Sequence, residues 1–84
     1  MIKWGDLIDK HVRGETPIGT TWIRVDREGL VTGVYAIFGR TKKLVPSDGE
    51  RWSVDDAKAV AEIELETELA FRAEHPEFSP KKVY

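Results

Sequence analysis

The chain has 84 residues, 40% of them hydrophobic and 33% charged, which suits one small folded domain (1–84) and leaves no room for a second. A net charge of −2 excludes a strongly basic, histone-like protein and a strongly acidic mimic of DNA alike. With no cysteine there is no disulfide, thiolate zinc site or thiol nucleophile, and a reducing, cytoplasmic setting is expected.

No apolar run is long enough to span a bilayer, and the opening MIKWGDLIDK lacks the apolar core of a signal peptide. Within residues 2–13, Trp4, Leu7, Ile8, His11 and Val12 recur at spacings of three and four, which predicts a short amphipathic helix. Asp6 near its start and Lys10 and Arg13 near its end suit the helix dipole, and Gly14 supplies a stop. Residues 15–19 (ETPIG) form a connector broken by Pro17 and Gly19.

Residues 20–38 (TTWIRVDREGLVTGVYAIF) predict two strands rich in β-branched and aromatic side chains, joined across Asp26–Gly29. Simple pairing outward from that turn sets Val25 against Val31 and Trp22 against Val34. One face then carries Trp22, Leu30, Val34, Ala36 and Phe38, and the other Ile23, Val25, Val31, Tyr35 and Ile37. Both faces are apolar on this register, so a cover is expected on each side. Gly33 interrupts the second strand and marks either a bulge or a close packing contact.

Residues 41–45 (TKKLV) predict a short third strand, ended by Pro46 and protected at its edge by Lys42 and Lys43. The second large element is a helix over 54–74. Ser53 is its N-cap, and Ser53 with Asp56 resembles a capping box. The remaining residues, 77–84, are expected to form an extended tail. The whole reads as α+β: a short N-terminal helix, a two- to three-stranded antiparallel meander, and a long C-terminal helix packed on the sheet.

The long helix carries two apolar groups. Val54, Ala57, Ala61, Leu65 and Leu69 make the stripe that packs on a sheet, while Val60, Ile63 and Phe71, with Ala59 and Ala70, lie largely elsewhere. Those side chains either meet a partner or lie under the N-terminal helix or the tail. The leading expectation is a small non-enzymatic protein-interaction module (a regulator, adaptor or inhibitor), homodimeric, burying Val60, Ile63 and Phe71 or a sheet face carrying Tyr35 and Ile37.

The alternative is a nucleic-acid-binding protein using the basic segment Arg40, Lys42, Lys43 and Arg51, with Arg24 and Arg27 nearby and Trp52, Tyr35 or Trp22 as a stacking surface. A solvated sheet edge would have the same composition. His11 and His75 are the only histidines, and their spacing shows no convergence on a carboxylate. Glu62, Glu64, Glu66 and Glu68 spread around the helix as a hydrated surface. No metal, cofactor or enzymatic site is expected.

Overall fold

In the computed structural model, which describes residues 1–38 and 41–76, the chain is a five-stranded antiparallel sheet followed by one helix. The strands are β1 (Lys3–Ile8), β2 (His11–Thr16), β3 (Gly19–Val25), β4 (Val31–Ile37) and β5 (Thr41–Leu44), and the helix is α1 (Val54–Glu74). Sheet order follows chain order, so every connection is a hairpin. The architecture is α+β, as the sequence implied, but two of its parts differ from expectation.

The predicted N-terminal helix is instead the β1–β2 hairpin. Asp9 and Lys10 form its two-residue turn, both at positive φ (50° and 64°), the geometry of a type I′ turn. A bulge lies between Trp4 and Leu7, where the register to β2 shifts. The bulge and the chain reversal together disguise the alternation. Ile2 and Trp4 point inward, one extra residue intervenes, and Val12 follows after the turn, so the apolar positions imitate helical spacing. With these two strands added, the meander has five strands rather than two or three.

The second correction concerns register. Asp26 N–H donates to Leu30 O (2.9 Å) and Val25 does oppose Val31, but Arg24 opposes Gly33 and Trp22 opposes Tyr35. A bulge between Arg24 and Val25 absorbs one residue of β4 and re-phases the strand. Ile23, Val25, Val31, Val34, Ala36 and Phe38 therefore share one face, and all are buried. The aliphatic core thus gathers on one side of the sheet, and the other side carries Trp22, Tyr35 and Ile37 interspersed with cations.

The helix supplies the cover for the aliphatic side. Ala57, Ala61 and Leu65 are fully buried against Ile23, Val34, Ala36 and Phe38, with Val12, Val25 and Val31 extending the core. The two alanines let the helix approach closely, and Leu65 fills the space beyond them. The helix begins as predicted. Asp56 N–H donates to the Ser53 hydroxyl (3.1 Å) while the Asp56 carboxylate accepts from Ser53 N–H (3.0 Å), a complete capping box.

Further contacts fix the helix on the sheet. Ile2 N–H donates to Glu62 (3.0 Å), Lys42 Nζ reaches Glu64 (3.3 Å), and Arg72 Nη2 donates to Phe38 O (2.7 Å). Val31 N–H donates to Trp52 O (3.0 Å), which ties the segment before α1 to the start of β4. Among the described residues no helix is long and apolar enough to cross a membrane.

Candidate functional site

The bulge in β4 brings Tyr35 and Ile37 to the side of Trp22 and Arg24, away from α1, where the described residues place no second layer. Cross-strand pairing lines up Arg13 (β2), Trp22 (β3), Tyr35 (β4) and Lys43 (β5) in a single row. The neighbouring row contains His11, Arg24 and Gly33. This face therefore has an aromatic centre with cations on either side.

The row is internally organised. The Arg13 guanidinium lies 5.5 Å from the Trp22 ring centroid and Lys43 Nζ lies 5.5 Å from that of Tyr35, both within cation–π range. His11 meets Trp22 edge-on at 6.3 Å, and its Nδ1 hydrogen-bonds to Asp9 O (2.8 Å). A carbonyl only accepts, so Nδ1 carries the proton and Nε2 is left for a ligand or solvent. Gly33 leaves room beside the row. A Cβ there would come within 3.3 Å of Lys43 Cε and 3.8 Å of Tyr35 Cε2.

Beside the bulge in β1, Asp6, Ile8 and Asp9 border the open face. With Trp22 and Tyr35 they help line a concavity of about 710 Å³ whose surface is largely apolar. A second, polar concavity of about 410 Å³ adjoins it and shares Arg24 and Tyr35. Lys10, Arg24, Arg27 and Lys43 line this second hollow, together with Thr32. None of these four cations forms an ion pair among the described residues, whereas Arg13 lies 3.5 Å from Glu15.

The side chains singled out from the sequence fall on opposite sides of the molecule. Tyr35 and Ile37 are on the open face, half-buried and 38% exposed respectively. Val60, Ile63 and Phe71 are on α1, across the sheet. Val60 is half-buried, and Phe71 borders a small hollow with Ala36, Phe38 and Lys42, so both flank the packed stripe rather than oppose it. Ile63 is 61% exposed.

The basic segment is also divided. Lys43 joins the open face, but Lys42 points to the α1 side and pairs with Glu64. Arg51 is exposed in the segment leading into α1. Arg40 and the expected tail at 77–84 lie outside the described residues. Lys10 and Arg13 also border this face; the sequence assigned them to the end of a helix, where they only complemented its dipole. Gly5, a poor residue for a helix interior, was the available signal against that helix.

Other chemistry stays apart. His11 is on the open face, while His75 is the C-cap of α1, against Phe71 on the other layer. Among the described residues no group of three or more His, Asp or Glu side chains is placed to hold a metal ion. Glu62, Glu64 and Glu68 are used in contacts with Ile2, Lys42 and Arg72. No protein-family model, curated protein or solved structure matches this chain.

Proposed function

We propose that the protein is a non-enzymatic binding module whose working surface is the sheet face opposite α1. The observation that carries this reading is the row Arg13–Trp22–Tyr35–Lys43, two half-buried aromatic rings flanked by cations on a concave face over which the described residues place no second layer. A large ring that packs against no second layer stabilises the fold less than a buried one. Its surface is available to a partner. The absence of cysteine fits action in a reducing compartment such as the cytoplasm.

The test compares what the tagged protein retains from native lysate with what its variants retain. Trp22→Ala and Tyr35→Ala should lose the wild-type partner while circular dichroism remains that of the folded protein, and Ile63→Asp should keep it. Retention by both ring variants would refute the reading.

A second reading places a copy of the same chain against α1. Ile63, a β-branched residue 61% exposed in mid-helix, favours it. Sedimentation would then show a dimer that Ile63→Asp converts to a folded monomer; a wild-type monomer at all concentrations removes this reading.

A further inference from the structure

We infer that the occupant of the open face is single-stranded nucleic acid, with its bases stacked on Trp22 and Tyr35 and its phosphates held by Lys10, Arg24, Arg27 and Lys43. The inference rests on the reading of this face as the working surface and names the chemistry of its partner.

Charge is the first argument. The chain is acidic overall, and α1 concentrates carboxylates at Asp55, Asp56, Glu62, Glu64, Glu66 and Glu68. Against that background, Lys10, Arg24, Arg27 and Lys43 gather around one hollow without an ion pair among the described residues. The Asp26 carboxylate beside them is engaged, accepting from the N–H groups of Glu28 (2.9 Å) and Leu30 (3.0 Å). An apolar protein surface docking here would bury unpaired cations at a cost in desolvation. A polyanion neutralises them and releases counterions.

Geometry is the second. Trp22 and Tyr35 are direct cross-strand partners on one side of the sheet, and each ring is approached by a cation. Arg24 is two residues along β3 from Trp22, about 7 Å at the usual strand rise, which keeps a stacked base and its phosphate within reach of the same sheet. The two hollows share Arg24 and Tyr35 and so form a continuous surface.

The acidic residues give the arrangement a direction. Asp6 and Asp9 border the aromatic hollow, whereas the carboxylate in the lining of the basic one, Asp26, is occupied by the N–H groups of Glu28 and Leu30. Asp6 and Asp9 repel phosphate from the β1 side and steer the backbone toward the β3–β4 turn, leaving bases over the rings. Stacking requires bases whose faces are free, which a duplex does not offer, so single strands are the class selected.

The experiment is fluorescence anisotropy with labelled oligothymidylate and oligouridylate of about 12 nucleotides, against a duplex of equal length, as salt rises from about 50 to 200 mM. Wild type should bind the single strands in preference to the duplex, and the DNA and RNA arms show whether the sugar matters. Trp22→Ala and Tyr35→Ala should each weaken binding about ten- to hundredfold. Arg24→Ala and Lys43→Ala, at exposed positions that the fold does not need, should each reduce the salt slope by about 0.7.

Absence of single-strand binding at low salt overturns the inference, as does binding that both ring variants retain in full. If a nuclease-resistant protein is instead captured and then lost with Trp22→Ala, the face is a binding surface and only the nucleic-acid assignment fails. If captured partners survive both ring variants, the reading of the face fails with it.

Discussion

Arg24 on β3 pairs with Gly33 on β4, although its neighbour Val25 pairs with Val31, and the residue left between, Thr32, is the bulge on which both faces of the sheet depend. Thr32 Oγ1 donates to Arg24 O (3.2 Å) and fastens the irregularity. Without the extra residue, β4 would send Tyr35 and Ile37 to the face of Ile23 and Val25, mixing rings with aliphatic core. With it, Tyr35 leaves the core side and shares a face with Trp22, Arg13, Arg24 and Lys43.

Gly33 tests that arrangement. A Cβ at this position would lie 3.3 Å from Lys43 Cε, the flexible stem of a side chain. Gly33→Ala should change stability by no more than about 1 kcal/mol. Gly33→Val should displace Lys43 from the Tyr35 ring, detectable as altered Tyr35 ring shifts by NMR in a folded protein.

Gly19 should tolerate nothing larger. It sits at φ +152°, and a Cβ there would clash with Ile37 O, a backbone atom that cannot swing aside. Gly19→Ala should destabilise by about 3 kcal/mol or more, read as a lower urea midpoint.

The core prediction concerns Leu65, which is fully buried between α1 and the sheet. Leu65→Ala removes buried methyl groups and leaves a cavity, at a cost of about 2–5 kcal/mol. In a domain this small that is a large share of the total stability, and thermal melting would show it directly. Ile63→Asp, on the side of α1 turned away from the packed stripe, should stay within about 0.5 kcal/mol of wild type by the same measurement.

Ser53 anchors the helix start. Ser53→Ala breaks the reciprocal bonds with Asp56 and should cost about 1 kcal/mol, checked by urea denaturation. Ser53→Asp keeps an acceptor at the cap and should recover most of the loss.

How much of this was legible follows from how local each signal is. The long helix was readable to its ends because Ser53, Asp56 and Pro76 act within a turn or two of their own positions. The β3–β4 hairpin and β5 were readable from composition and turn residues. The β1–β2 hairpin was not, since its turn is Asp9–Lys10 rather than a pair such as Asn–Gly, and its bulge removes the alternation on which strand recognition depends. The candidate site suffered twice. One unplaced bulge in β4 put Trp22 and Tyr35 on opposite faces, and one misread hairpin assigned Lys10 and Arg13 to a helix end. Lys43 was singled out, but with Lys42, and adjacent strand residues point to opposite sides.

The most direct test of single-strand binding on the open face is amide and indole chemical-shift mapping by two-dimensional NMR, with unlabelled oligothymidylate added to the protein. The account predicts shifts concentrated at His11, Arg13, Trp22 with its indole N–H, Arg24, Tyr35 and Lys43, with Val60, Ile63 and Phe71 unmoved. Shifts confined to α1, or none at all at low salt, would contradict it.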